Sequence, residues 1–378
     1  MGKSILFFLF ISVNSIVWCQ PMRVLFVGNS YTHYNNMPKL FKDIASSKNI
    51  NVDVHMSAKS SHTFKMHSER PDLYQDIQRE KWDYVILQGF SRELSTDIAT
   101  IDSMVVPYVK RISDSIYQQN PCATILLYET WGYEKGFPED SVNTSYQIMS
   151  DHIHQGYLYL SKLFDFPIVP VGKVWETVKE NNVSIPLYQE DLQHPSKYGS
   201  YLAACSFYAA IFKQNPNTTF TDGLSPDKAK YIQNTSFTIV DQNMTRYLLN
   251  RNVINVKSTS KDGKYKADCS ANFPKAKSIV WNFGDGKLLD TTSSTIKPIK
   301  YSSVGIYPVT LKVTSKNGCA SDIVSKNIEI TPKPTASFTA TTNTCVNINI
   351  NFTETSSITN GTLQKSYWNL DDGKGVIN

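Results

Sequence analysis

Short apolar runs alternate with helical stretches from residue 22 to about residue 250, and this alternation constrains the fold most strongly. The runs predict strands at 23–27, 52–56, 84–87, 124–128 and, more briefly, 166–171. Helical patterns lie at 37–46, 101–116, 145–163 and 196–212, and another helix begins at 225–226. Because the strands are apolar throughout, we expect a parallel sheet covered by helices on both faces.

Near residue 253 the pattern changes to short alternating runs, at 278–282, 307–313 and 323–330, separated by Ser, Thr, Gly and Pro. This spacing is typical of a small β-sandwich. The motif WNFGDG (281–286) recurs as WNLDDG (368–373), which predicts a second, truncated β-domain. The expected divisions are a signal peptide at 1–20, an α/β domain at 21–251, a β-sandwich at 252–331 and the truncated copy at 332–378.

The N-terminus has the pattern of a signal peptide. Lys3 precedes an apolar run at 5–13 that is too short to span a bilayer, and cleavage is expected near Cys19. Lipidation of Cys19 is an alternative that the bulky Trp18 disfavours. We therefore expect a secreted or cell-surface protein, with no transmembrane segment further along the chain.

Charge and cysteine content limit the partners and the redox chemistry. The formal net charge is +5 and no long basic block is present, which argues against nucleic-acid binding. Cys122 and Cys205 lie in apolar stretches, so we expect buried free thiols there. Cys345 has no evident partner.

Ser30 follows the first predicted strand in the segment VGNSYT (27–32). Gly28 permits a tight turn, and Ser30 then lies at the carboxyl edge of the sheet, where open α/β folds bind ligands. N–H groups of a following helix would favour developing negative charge nearby. The alternative is an ordinary connection between a strand and a helix.

The segment EDLQHPS (190–196) supplies a base and a carboxylate for such a serine. A single turn brings Asp191 and His194 close enough for the carboxylate to orient the imidazole, whose other nitrogen then faces Ser30. Pro195 disfavours helix at His194. The alternative is a polar loop that caps the next helix, with Asp191 exposed.

Together these two segments resemble the SGNH (GDSL-type) hydrolases over about residues 22–250. The resemblance implies a flavodoxin-like three-layer α/β/α fold and a serine ester hydrolase with Ser30, Asp191 and His194 as its catalytic triad, without a metal or another cofactor. Asn29 replaces the aspartate that is usual in the family.

The resemblance also implies an oxyanion hole. Ser61 occupies the place of the family's glycine after the second strand, and Gln88 lies where the family usually has an asparagine. Gln88 would donate its side-chain amide to the oxyanion. Alternatively, Gln88 is an amide at the end of a strand whose hydrogen bonds are satisfied by a neighbouring loop.

Residues 253–331 resemble a PKD domain, through WNFGDG (281–286), YSSVGIY (301–307) and VTLKV (309–313). Cys269 and Cys319 lie on either side of these three motifs, and a bridge between them would stabilise the domain. The whole pattern predicts a secreted esterase that removes acyl groups, most simply acetyl, from a carbohydrate-like substrate, with polysaccharide or cell-surface binding through the PKD-like domains. The alternatives are a binding or adhesion protein with weak or no activity, and a lipase-type esterase.

Overall fold

The computed structural model describes residues 20–181, 184–250, 254–261, 264–271, 276–315, 318–321, 323–331, 334–341, 345–346, 348–359, 362–370 and 375–377. Side chains are not described for 254–271 and 375–377. The chain divides into two units, Met1–Leu249 and Asn250–Asn378. The predicted signal peptide lies outside the described residues.

The first unit is built on a five-stranded parallel sheet in the order β2-β1-β3-β4-β5. This is the flavodoxin-like order, and it confirms the predicted fold class. The strands are β1 (Met22–Gly28), β2 (Val52–Ala58), β3 (Tyr84–Leu87), β4 (Thr124–Tyr128) and β5 (Ile168–Val169).

Ten α-helices are described in this unit, and a 3-10 turn (Tyr34–Asn36) joins the first two. They are α1 (Ser30–His33), α2 (Met37–Ser47), α3 (Phe64–Ser68), α4 (Pro71–Arg79), α5 (Ile98–Met104), α6 (Val106–Gln119), α7 (Tyr146–Phe164), α8 (Val171–Asn181), α9 (Lys197–Phe212) and α10 (Pro226–Gln242). No described helix is long and apolar enough to cross a membrane.

Two predicted elements differ in the structure. The single helix expected at 101–116 is two helices, because Pro107 lies at the start of α6 and cannot continue the hydrogen bonding of α5. The expected strand at 166–171 shortens to Ile168–Val169, since Pro167 and Pro170 flank it and lack the N–H that a strand ladder needs.

The core of the first unit explains why α9 lies at its centre. Thirteen of the sixteen residues of α9 are buried, so the helix is apolar on nearly all sides. It packs against α2, α8 and α10. Its N-terminus follows directly after His194, so the position of that histidine is fixed by a helix anchored in the core.

The second unit is antiparallel. Its largest sheet has the order β12-β11-β8-β9, a second sheet has the order β10-β7-β6, and two strand pairs follow, β13-β14 and β15-β16. The strands are β6 (Ile254–Lys261), β7 (Lys264–Ala271), β8 (Ala276–Asn282), β9 (Leu288–Thr291), β10 (Ile299–Tyr301), β11 (Gly305–Ser315), β12 (Val324–Ile330), β13 (Phe338–Ala340), β14 (Phe352–Glu354), β15 (Tyr367–Asn369) and β16 (Gly375–Ile377). Trp281 of the repeated motif is fully buried in the core of this unit.

The cysteines follow the predictions in part. Cys205 is a buried free thiol, as predicted, and Cys345 is free and exposed. The prediction for Cys122 is wrong: it is exposed and disulfide-bonded, because it lies in the turn before β4 rather than in the buried strand. Cys319 is also disulfide-bonded. The side chain of Cys269, its expected partner, lies outside the described residues.

Candidate active site

Ser30, His194 and Asp191 form one hydrogen-bonded line. Nε2 of His194 lies 2.9 Å from Oγ of Ser30, and Nδ1 of His194 lies 2.5 Å from Oδ2 of Asp191. A carboxylate accepts only, so Nδ1 carries the proton and the free electron pair of Nε2 faces the serine hydroxyl. The structure therefore brings together the three residues that the sequence assigned to the triad.

A tight turn holds Asp191 beside His194. The backbone N–H groups of Gln193 and His194 donate to Oδ1 of Asp191 at 3.0 and 2.9 Å. Burial alone would raise the pKa of the Asp191 carboxyl, but these bonds and the imidazole lower it below its ordinary value. Leu192 completes the turn in the left-handed region, with φ at 61°. Asp191 thus stays ionised and correctly placed to orient the imidazole.

Ser30 lies at the N-terminus of α1, directly after β1. Oδ1 of Asn29 accepts the N–H of Tyr31 at 3.1 Å and so caps this helix. Gly28 is required because a Cβ there would lie 2.2 Å from Oγ1 of Thr32 and 2.5 Å from Oε1 of Gln88. Ser30 itself is 8% exposed, so most of this residue is buried.

Aromatic rings support the imidazole from two sides. The ring of Tyr34 stacks on His194 at 4.6 Å, and the ring of Tyr31 meets it edge-on at 5.7 Å. Tyr31 in turn stacks on Trp131 at 4.5 Å, and Nε1 of Trp131 donates to the carbonyl of Gln193 at 3.1 Å. Neither Tyr31 nor Tyr34 was predicted from the sequence to lie beside His194. Trp131 is completely buried.

His33 is directed away from the triad. Its Nε2 lies 2.9 Å from Oγ of Ser60. Burial and the neighbouring imidazole of His194 lower the pKa of His33. A neutral His33 adds no positive charge beside the catalytic imidazole.

Ser61 lies in the loop after β2, and this loop reaches the Ser30 turn. Ser60 contacts His33, and the carbonyl of His62 accepts Nδ2 of Asn29 at 3.4 Å. Ser61, between these two contacts, is exposed and has φ at 59°. Glycine adopts this left-handed backbone without strain, which explains why glycine suits the position in the family that the sequence resembles.

Gln88 is fully buried and its side-chain amide is used inside the protein. Oε1 accepts the backbone N–H of Asn29 at 2.9 Å and the hydroxyl of Thr32 at 2.9 Å, and Nε2 donates to the carbonyl of Gly89. A backbone N–H only donates, so the atom that faces Asn29 must be the oxygen. These contacts fit the alternative interpretation of Gln88, an amide whose hydrogen bonds are satisfied by its neighbours. They do not fit a side chain that is free to donate to the oxyanion.

His152 and His154 do not form a metal site. His154 lies 3.2 Å from Oε2 of Glu129 and accepts Nη2 of Arg246 at 2.8 Å, whereas His152 lies 3.3 Å from Oδ1 of Asn143. Both histidines are half-buried. Their side chains diverge because residues two apart lie on different helix faces. Within the described ranges, no group of three or more His, Cys, Asp or Glu is placed to hold a metal.

A flavodoxin-like sheet with a Ser–His–Asp line at the carboxyl edge of its first strand combines the two features that the resemblance to SGNH hydrolases implies. Residues 255–332 match the family model of the PKD domain, which confirms the second resemblance. A search of curated proteins found no match.

Comparison with solved structures gives the fold of the first unit. A DUF4886 family protein from Bacteroides uniformis is 16% identical with a TM-score of 0.51, and the match covers 58% of this chain and 95% of that one. A protein proposed to be an SGNH hydrolase, from Slackia heliotrinireducens, is 22% identical with a TM-score of 0.42 over 50% and 98% of the two chains. An acetyl xylan esterase is 14% identical with a TM-score of 0.41 over 50% and 99%.

Proposed function

We propose that the first unit is a serine ester hydrolase that removes short acyl groups, acetyl above all, from a carbohydrate-like substrate. The observation that carries the proposal is the continuous line of hydrogen bonds from Oγ of Ser30 through His194 to Asp191, with 2.9 and 2.5 Å between the paired atoms. Because 164 residues separate Ser30 from His194, their contact depends on the tertiary fold rather than on local sequence.

The reaction proceeds in two steps. His194 takes the proton of Ser30 at Nε2 as Oγ bonds to the ester carbonyl carbon; the bond to the leaving alcohol then breaks, and His194 gives that alcohol the proton. Water repeats the sequence on the acyl-enzyme and releases the carboxylic acid. Asp191 stabilises the imidazolium in both steps without taking its proton.

The backbone N–H groups of Ser30 and Ser61 are the proposed oxyanion donors. The assignment of Ser61 as a donor is supported by the contacts that Ser60 and His62 make with His33 and Asn29, on either side of Ser30. Gln88 contributes by holding Asn29 and Thr32 rather than by donating to the oxyanion. Loss of one oxyanion donor typically costs about 3 kcal/mol of transition-state stabilisation. Without a donor from Gln88, we therefore expect a slower reaction than at a site that has all of the family's oxyanion donors.

A second candidate is a carbohydrate-binding or adhesion protein whose first unit has little activity. The internal use of the Gln88 amide favours it. The PKD domain at 255–332 supports binding to polysaccharide or protein in either case. Disulfide-bonded Cys122 and Cys319 support export, because disulfides persist in oxidising compartments.

Hydrolysis of p-nitrophenyl acetate by the full chain, Ser30→Ala and Ser103→Ala separates the two candidates. Ser103 is an exposed helix serine and serves as the matched control. We expect Ser30→Ala to lose at least about 1000-fold in kcat and Ser103→Ala to match the wild type. If the wild type and Ser30→Ala hydrolyse the ester equally slowly, the proposal that the chain is an enzyme is wrong. Acetate release from acetylated sugars without cleavage of long-chain esters would identify the carbohydrate class and exclude a lipase.

A further inference from the structure

The chain turns back sharply five residues after Ser30. Asn35 and Asn36 both adopt left-handed backbone, with φ at 53° and 50°. The side chain of Asn35 then reaches the segment that follows His194. Its Nδ2 lies 3.2 Å from the carbonyl oxygen of Pro195, 3.1 Å from that of Ser196 and 2.9 Å from Oγ of Ser200.

These partners fix the orientation of the amide. Carbonyl oxygens only accept, so the atom that faces Pro195 and Ser196 must be the nitrogen of Asn35. Ser200 is 1% exposed on α9, and its hydroxyl also donates to the carbonyl of Tyr34 at 3.2 Å. Asn35 and Ser200 therefore tie the turn after the nucleophile to the start of the core helix behind the base.

Together with the Ser30–His194 contact, the hydrogen bonds of Asn35 and Ser200 form a closed loop of contacts. On one side the chain runs from Ser30 to Asn35, and on the other from His194 to Pro195 and Ser196. The rings of Tyr31 and Tyr34 also contact His194, at 5.7 and 4.6 Å. Such ring contacts restrict sideways movement of the imidazole less than hydrogen bonds do. Asn35 is thus placed to set the separation of the reacting oxygen and nitrogen.

We infer that Asn35, assisted by Ser200, is a positioning residue that holds Ser30 and His194 at the distance for proton transfer. The inference rests on the proposed esterase function and deepens it. Displacement by about 1 Å at a reacting centre lowers rates on the order of 100-fold, so a loss of the three bonds acts on kcat rather than on substrate affinity.

Asn35→Asp tests this with Asn36→Asp as the matched control. Aspartate has the shape of asparagine and also tolerates left-handed backbone, but at position 35 it places an oxygen against two carbonyl oxygens. Asn36 is exposed, has nearly the same φ, and makes no capping hydrogen bond with its side chain. Ser200→Ala is the milder third variant, because it removes only one of the three acceptors.

The assay measures kcat and KM for p-nitrophenyl acetate per active site, with sites counted by covalent titration of Ser30 with a p-nitrophenyl phosphonate ester. We expect kcat per titrated site to fall about 10- to 100-fold in Asn35→Asp, with KM within about twofold, and to stay at the wild-type value in Asn36→Asp. Ser200→Ala should fall between them, and it decides the question if Asn35→Asp does not fold.

Two results would overturn the inference. One is an unchanged kcat per site in Asn35→Asp or, if that variant does not fold, in Ser200→Ala. The other is a loss confined to the number of titratable sites, which would show that Asn35 supports folding alone. If the wild type neither hydrolyses the ester nor reacts with the phosphonate, the proposed function itself fails, and the inference fails with it.

Discussion

Glu93 links the two loops that flank the Ser30 turn, and its carboxyl group is poised to titrate near neutral pH. Its oxygens accept the N–H of Phe64 at 2.9 Å and the N–H of Phe90 at 2.9 Å. Burial raises the pKa of Glu93 from 4.5 to about 7, although both N–H groups act to lower it. The folded state therefore binds more protons than the unfolded state between these two values.

The sign of the pH dependence follows directly. The contribution of Glu93 to the free energy of unfolding is fully present below about pH 4.5 and is lost as pH rises through about 7. Glu93→Gln cannot titrate, so denaturant unfolding of both proteins isolates the effect. Between pH 5 and 8 we expect the wild type to lose about 2–3 kcal/mol relative to the variant. A constant difference would show that Glu93 titrates normally in the fold.

The residues of the proposed triad were predictable from the sequence through a resemblance. Ser30, Asp191 and His194 could be assigned as a set because their two segments together resemble the SGNH hydrolases, whereas each segment alone also fits an ordinary connection or a polar loop. Gln88 could not, since its amide orientation depends on Asn29 and Thr32, 59 and 56 residues away. The contacts of Asn35 were not predictable from the sequence either, because its three acceptors lie 160 or more residues along the chain.

At the scale of elements, the first turn of α9 depends on Ser196. Its Oγ accepts the N–H of Gly199 at 3.2 Å and donates to the carbonyl of Pro186 at 2.5 Å. We expect Ser196→Ala to lower the free energy of unfolding of the first unit by about 1–2 kcal/mol. Denaturant unfolding followed by fluorescence measures this change.

Ser225→Ala is the matched control for that experiment. Ser225 precedes α10 in the same capping position, but its side chain forms no capping hydrogen bond. Its replacement should change the free energy of unfolding by less than about 0.5 kcal/mol. Equal losses in the two variants would mean that serine stabilises these termini by a route other than capping.

Element types were predictable where burial dictated the pattern. The strands β1, β3 and β4 are apolar runs between helices, and this pattern predicts a parallel sheet covered by helices on both faces. Where the observed elements differ from the predicted ones, prolines are the cause. Pro107 divides the predicted helix at 101–116, and Pro167 and Pro170 shorten β5, although the hydrophobic period continues across each of them.

At the scale of the whole molecule, the described residues form two separate hydrophobic cores, and we expect two unfolding events. The buried cluster of the first unit runs from Val24 to Leu249, and that of the second from Ile279 to Ile330. Because each unit buries its own apolar surface, calorimetry of the full chain should resolve two transitions. We expect the proposed ester hydrolysis to disappear at the transition of the first unit.

The disulfide of Cys319 makes the independence of the two units testable. Removing a disulfide from a small domain typically costs about 2–5 kcal/mol, so Cys319→Ala, which breaks the bridge expected to Cys269, should lower the midpoint of the second-unit transition. The first-unit transition and kcat for p-nitrophenyl acetate should stay unchanged, since Ser30, Asp191 and His194 all belong to the first unit. Cys345→Ala is the control, because Cys345 is free and exposed, and it should leave both transitions in place. A fall of both midpoints in Cys319→Ala would mean that the units unfold together, and stability added to the β-rich unit would then also protect the first unit and its proposed activity.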